Sequence, residues 1–444
     1  RSRGLGDVYK RQGKGDRKMS ELQAGMQIEL DDNMGTIQIV RKLGEGGQGY
    51  VYLVDYLGNQ MALKWYKKGS IKDMEGFRKN LQNNIREQAP TDSFLWPVAI
   101  TRMYYDTFGY IMKLRPDNYY DFSDFLIGKI DFSSVHTLLN AAINIVESFR
   151  ILHNRGFSYQ DLNDGNFFLN PETGDVLICD NDNVSQFGEK SGIAGKCRYM
   201  APSIVVGRKT PDKRTDQFSL AVALFLLLLR NHPLEGEQTQ SKAVMTEQRQ
   251  KRYYGESPVF IADPKDASNR PVKGVHNNFL MRWPQMPVYI QNTFIKAFSK
   301  EVMCEDKMGI TEKEWLQNLL RFQSEVIICP NCGKETRYTT ENATCMCCHQ
   351  PITHIGWIQT QYFRIPIFPK QEIVTAYITD CYDQNECRTV TAKVVQNKTK
   401  TKIALMNKSG ESWRINNETV APGERVLIQK GIRIQIKNEY MEIK

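Results

Sequence analysis

Residues 159–166 read YQDLNDGN, and residues 180–183, beginning fourteen positions after Asn166, read DNDN. Carboxylates and amides crowd these two short segments, whose neighbours on either side are apolar. Upstream, from Val135, apolar residues in VHTLLNAAINIVESFRILH recur at three and four, a spacing that predicts a long amphipathic helix. Downstream, SLAVALFLLLLR (Ser219 to Arg230) predicts a buried core helix, because its apolar run is far shorter than the roughly 20 residues that cross a bilayer. EKEWLQNLLRF, from Glu312, predicts a further helix. The polar stretches are therefore loops carried on a helical region.

The pattern changes further upstream. Between Gly25 and Leu63 it alternates: TIQIVRKL, a glycine-rich turn, YVYLVDY, a turn at Leu57-Gly58-Asn59, then QMALKWY. Period-two alternation broken by turn residues predicts an antiparallel meander. Strands first and helices afterwards make an α+β, two-lobed outline. The chain has 444 residues, enough for two or three domains, with 41% hydrophobic and 25% charged residues, an ordinary globular composition. A Cys-rich module follows at about 326–355, and residues 357–444 read as strands with turns at Asn407-Lys408-Ser409-Gly410 and Pro422-Gly423. No internal repeat is visible.

The first eighteen residues are set apart. DVYKRQ (Asp7 to Gln12) resembles the translation of an adaptor used in preparing sequencing libraries, so 1–18 are expected to be a non-native leader, with Met19 the expected start. Seven basic and two acidic residues there supply +5 of the net +9. The rest is close to neutral, which gives no ground for a nucleic-acid partner. No secretory signal follows Met19, and no apolar run predicts a membrane span. The cysteine pattern fits metal binding in a reducing compartment, so a cytoplasmic location is expected.

Gly44, Gly46 and Gly49 form G-x-G-x-x-G between two predicted strands, a pattern that lets backbone approach phosphates but that also occurs in plain glycine hairpins. ALKWY sharpens it by placing Lys64 on the next strand, fifteen residues after Gly49. With these in view, residues 27 to about 322 resemble a protein kinase domain. LGEGGQG, ALKWY, FLWP, GYIM, YQDLNDGN, DNDN, RYMAP, TDQFSLAVALF and HPLEG, in that order, are similar to a bacterial serine/threonine kinase-like group that often carries C-terminal zinc ribbons.

The resemblance implies an ATP- and Mg²⁺-dependent protein kinase over 25–325. Asp161 would orient the acceptor hydroxyl and take its proton, Asn166 and Asp180 would hold Mg²⁺, and Lys64 would grip the α- and β-phosphates. Leu43, Gly44, Gly46, Gly49, Val51, Ala62, Lys64, Met112 and Leu114 make the implied nucleotide-binding set. Met112 stands at the gatekeeper position and Asp216 braces the catalytic loop.

Departures from the pattern are specific. The helix glutamate that pairs with the strand lysine falls near Asn84, with Glu87 the nearest carboxylate. Gln160 replaces an arginine that would anchor a phosphorylated loop, so phosphate on Ser185 or Ser191 lacks a receptor. Asn181 and Asp182 replace Phe-Gly after the metal aspartate. Ser203 replaces the glutamate of Ala-Pro-Glu, and its arginine partner falls near Gly309, or at Lys307. Asn163 replaces the lysine that touches the γ-phosphate, and Lys196 stands where a threonine is expected, so Lys196 joins the candidate catalytic set as the displaced cation. A pseudokinase scaffold that binds ATP without transferring phosphate is the rival reading. A small-molecule kinase is a third.

CPNC (Cys329, Cys332) and CMCC give C-x₂-C-x₁₂-C-x₂-C with Cys345 and Cys348. Paired thiolates at this spacing predict a structural Zn²⁺ ribbon. Cys347 is the alternative fourth ligand, while His349 and His354 are read as bystanders. The final segment resembles the second half of a forkhead-associated sandwich, without the Gly-Arg and Ser-x-x-His that would bind phosphothreonine, so a partner-recruiting β domain is expected. The resemblance also implies a protein substrate, an accompanying phosphatase and a von Willebrand-type partner.

Overall fold

The alternating N-terminal segment forms a six-stranded antiparallel sheet ordered β1-β2-β3-β4-β6-β5. Its strands are β1 (Gln27–Glu29), β2 (Thr36–Glu45), β3 (Gly49–Tyr56), β4 (Asn59–Tyr66), β5 (Pro97–Ile100) and β6 (Gly109–Lys113). The chain is seen in a computed structural model that describes residues 21–189, 195–240, 244–339, 343–383, 385–399 and 402–444. The leader 1–18, Met19 and Ser191 lie outside the described residues. Helix α1 (Met74–Glu87) crosses from the sheet toward the second lobe, capped by Asp73, whose side chain accepts from the Gly76 N–H.

The second lobe is built on α2 (Val135–Asn154), α3 (Lys213–Leu229) and α4 (Glu312–Glu325). Each begins with a reciprocal capping box, at Ser134/Thr137, Asp212/Thr215 and Thr311/Glu314, which satisfies N–H groups that an open helix start would leave unpaired. Helix α3 is buried almost throughout and forms the axis of the lobe. A short hairpin, β7 (Phe167–Leu169) against β8 (Val176–Ile178), carries the two polar stretches on its flanks.

Helix α4 runs straight into β9 (Val326–Ile328), which pairs with β10 (Glu335–Arg337) in the Cys-rich module. That module has its own small core of Ile327, Tyr338, Ile352, Trp357 and Phe368 around the cysteines. The strands from Trp357 onward make a six-stranded and a four-stranded sheet. Ile358, Ile365, Trp413, Ile434 and Met441 of one sheet share a core with Ile373, Ala392, Val394, Leu405 and Val426 of the other. That core is continuous with the helical lobe: Tyr377 donates to Gln323 Oε1 at 2.9 Å, and Arg388 donates to Asp175 at 2.9 Å. No helix among the described residues is long and apolar enough to cross a membrane.

Candidate active site

Lys64, in the middle of β4, faces the loop after β8. Register places it opposite Val51 on β3 and Tyr110 on β6. Its ammonium donates to Asp180 Oδ1 at 3.0 Å and to Asp182 Oδ2 at 2.8 Å. Burial by itself would lower the Lys64 pKa, but the two carboxylates outweigh it and hold the group firmly charged. The lysine's second partner is thus Asp182, a residue read from sequence only as a replaced glycine. Asp182 is fully buried and also accepts from the Tyr66 hydroxyl.

Glu87, the nearest carboxylate expected from sequence, is exposed at the end of α1. Asn84 is buried, and its amide donates to Val184 O at 2.8 Å, as does that of Asn80. Helix α1 therefore holds the loop by its backbone and supplies no acid to Lys64.

Asp180 adopts the left-handed conformation, with φ 56° and ψ 41°. Asp tolerates this region better than most residues. Next to it, Asn181 is buried and donates to Leu95 O and Ile178 O, both at 2.9 Å, so it pins the segment where a phenylalanine would be free to swing.

The stretch 159–166 is held from several sides. Asp216 on α3 accepts from the Tyr159 N–H at 2.6 Å and from the Gln160 N–H at 3.3 Å. His153 links it to the rest of the lobe, with Nε2 3.1 Å from Asp216 and Nδ1 2.6 Å from Glu312. Gln160 sits at φ 70°, a strained value for a residue with a Cβ, and this carboxylate brace sustains it. Asn163 donates to Asp161 Oδ1 at 3.1 Å and accepts from the Gly165 N–H at 3.0 Å. The amide of Asn166 donates to Tyr159 Oη and Asp161 O, both at 3.0 Å, which leaves its side-chain oxygen as the donor atom for a cation.

Asp161 has its pKa pushed up to about 6, first by burial and then by the charge of Asp180, against bonds from Asn163 and Lys196. A carboxylate so placed is near the balance point for proton transfer at neutral pH. Lys196 reaches over this loop: its ammonium is 3.1 Å from Asp164 Oδ1 and its side chain is 59% exposed. The neighbouring Arg198 forms a two-pronged pair with Glu235, Nη2 to Oε2 at 3.0 Å, which fixes the RYMAP segment.

Between the lobes, Ala62 and Met112 are buried in one apolar cluster, with Val51 and Leu114 packed against it. Phe168, Leu177 and Cys179 complete that cluster and were not singled out from sequence, where apolar residues of a short hairpin carry no distinguishing mark. Leu43 is exposed at the mouth, on β2. A Cβ on Gly49 would meet Trp65 O at 2.3 Å, so only glycine fits there, whereas Gly44 and Gly46 face open space in which a phosphate could lie. Hard oxygen donors on Asp180 and Asn166 suit Mg²⁺ at the inner end of the cleft.

Two further departures from the pattern take structural form. Ser185 is buried and its hydroxyl is bonded to Gln160 and, at 3.3 Å, to Glu189 O, so it is a structural hydroxyl and is not presented for phosphorylation. Ser203, Gly309 and Lys307 line one cavity of about 230 Å³ at the place of the ion pair whose loss the sequence implies. Lys307 instead pairs with Glu305 at 3.1 Å. With both partners of the family's pair replaced, no buried charge is left uncompensated.

The sulfurs of Cys329, Cys332, Cys345 and Cys348 all lie within 4.8 Å of one another. Cys329 and Cys348 are 3.9 Å apart, and Cys332 and Cys345 3.7 Å. A tetrahedral Zn²⁺ with Zn–S bonds of about 2.3 Å needs sulfurs about 3.8 Å apart, so the donor set fits. Cys347 is exposed and outside the cluster, and His354 bonds to Tyr338 at 2.6 Å.

Compared with known proteins, the sequence matches the family model of the protein kinase domain over residues 37–306. Among solved structures, a variant of the PknI kinase domain of Mycobacterium tuberculosis aligns at 17% identity over 68% of this chain and 98% of that one, with a TM-score of 0.46. Another structure of the PknI kinase domain aligns at 18% identity with the same coverages and a TM-score of 0.44. No curated protein matches the chain.

Proposed function

The chain belongs to the protein kinase domain family, whose model spans more than half of it, and from that premise we propose that it is an ATP- and Mg²⁺-dependent protein serine/threonine kinase. One observation carries the reading: Lys64 of the first lobe bonds Asp180 of the second at 3.0 Å, on the cleft side of a loop that presents Asp161 and Asn166. Phosphoryl transfer asks mainly for positioning and charge neutralisation. Lys64 holds the α- and β-phosphates. Asp161 accepts the proton of a serine or threonine hydroxyl as its oxygen bonds to the γ-phosphorus and the bond to the β-phosphate oxygen breaks. Mg²⁺, when bound by Asp180 and Asn166, supplies charge neutralisation. The test is transfer of labelled γ-phosphate to protein by the purified chain. ATP binding without any transfer would return the chain to a nucleotide-gated scaffold.

Asp180 and Asn166 lead to a binding prediction. ATP is expected to raise the melting temperature more with Mg²⁺ than with EDTA, since a ligand that binds only the folded state stabilises it according to its affinity. Equal shifts in a thermal melt would sink the Mg²⁺ assignment.

Lys196 is assigned the γ-phosphate contact. Asn163 is turned inward onto Asp161, so it leaves that contact unfilled, while the Lys196 ammonium already stands over the loop at Asp164. Lys196→Ala is expected to lower kcat roughly 10²-fold with little change in ATP affinity, as when a charge that stabilises the transition state is removed. Near-normal turnover would make Lys196 an ordinary exposed lysine.

The four-cysteine cluster is assigned one structural Zn²⁺, and the two terminal sheets a role in recruiting partners or substrate. The phosphatase and von Willebrand-type partners rest on resemblance alone.

A further inference from the structure

In the six-stranded lobe, a phosphate-gripping lysine needs a carboxylate to keep its long, flexible side chain aimed at the cleft. Helix α1 offers none, because Asn84 is spent on Val184 O and Glu87 is exposed. Asp182 does offer one. It reaches up from the loop after β8, is fully buried, takes the Lys64 ammonium at 2.8 Å and takes the Tyr66 hydroxyl with the same oxygen. Lys64 and Tyr66 are two positions apart on β4, so their side chains leave the same face of the strand toward one acceptor.

We infer that Asp182 is the positioning residue for Lys64, and that the lysine is kept in its working place by the metal-binding loop itself and not by helix α1. The inference rests on the kinase reading only for what Lys64 does once positioned. Two consequences separate this arrangement from one in which a helix supplies the acid. Helix α1 carries no acid for the lysine, so any effect of the helix on Lys64 passes through its grip on Val184 O. The lysine and the metal aspartate also move as one body, because Asp180 and Asp182 flank a residue pinned at both Leu95 O and Ile178 O.

The test uses the full chain. Asp182→Asn keeps the shape and removes the charge. It is expected to lower kcat about 10²-fold, in the range seen when one preorganised electrostatic group is lost, while the chain still melts cooperatively without nucleotide. Glu87→Gln is expected to leave turnover unchanged. Asp182→Ala removes both oxygens, and its crystal structure should show the Lys64 ammonium displaced from its present place. The inference is overturned if Asp182→Asn turns over at the normal rate, if Glu87→Gln suffers the same loss, or if Lys64 stays put in Asp182→Ala. Loss of the cooperative melt along with turnover would also overturn it, by assigning Asp182 to folding. A native chain that transfers no phosphate fails the kinase reading alone, and the position of Lys64 in Asp182→Ala still decides the role of Asp182.

Discussion

Asp161→Asn should lower kcat by about 10² to 10⁴-fold, the range in which a positioned proton acceptor contributes, with ATP affinity left near normal. The substitution preserves shape and keeps an oxygen to accept from Asn163, so the loop should hold its form. The native chain carries a second signature. Burial and the charge of Asp180 push Asp161 up to about 6, and a carboxylate accepts a proton only when ionised. A raised pKa keeps the proton on to higher pH, so kcat/KM should climb as pH rises through about 6 and level off above it. An acid limb centred near 4, or one that persists unchanged in the residual activity of Asp161→Asn, would move the base elsewhere.

Loss of the metal in the cysteine module should have the largest effect on folding. Structural Zn²⁺ contributes on the order of 10 to 16 kcal/mol in small metal-folded peptides, and the module's core of Ile327, Tyr338, Ile352, Trp357 and Phe368 is too small to stand without it. Its sulfurs are also the centre about which those side chains pack. Cys329→Ser should therefore abolish a content of one zinc per chain and remove amide protection across residues 327–339 and 343–352, as read by hydrogen exchange. Protection in α2 and α3 should persist, since their core is a separate one. Wild-type zinc content in Cys329→Ser, or no zinc in freshly purified reduced protein, would refute the assignment.

How much of this was written in the sequence depends on how local the encoding is. Alternation and three-four spacing foretold the strands and the helices α2, α3 and α4, because burial of one face is a property of consecutive residues. Lys64, Asp161, Asn166 and Asp180 were nominated by resemblance to kinase motifs, and the structure brings Lys64 onto Asp180 and the Asn166 amide onto Asp161 O. The partner of Lys64 escaped, since Asp182 lies 118 positions away and only the approach of two lobes brings it there. Counting along α1 sought the carboxylate on the wrong element. The bond from Gln160 to the Ser185 hydroxyl was not legible either, since it joins two loops 25 positions apart. The choice of Cys348 over Cys347 was legible, because two intervening residues suffice to turn both thiols inward.

The core shared by the helical lobe and the terminal sheets bears on what kind of unit this chain is. Arg388 holds Asp175 and the side-chain oxygen of Asn144, and Lys313 holds Asp380 at 2.9 Å, so the contacts run along one face of the lobe. Sequence divides the chain at about residue 356, but the buried core runs across that boundary. Shortening the chain there strips apolar side chains of their cover, so an inactive fragment ending at that boundary would report on exposed surface and not on chemistry. The same seam means that the sheets cannot be exchanged for another terminal module unless the outer faces of α2 and α4 are rewritten with them.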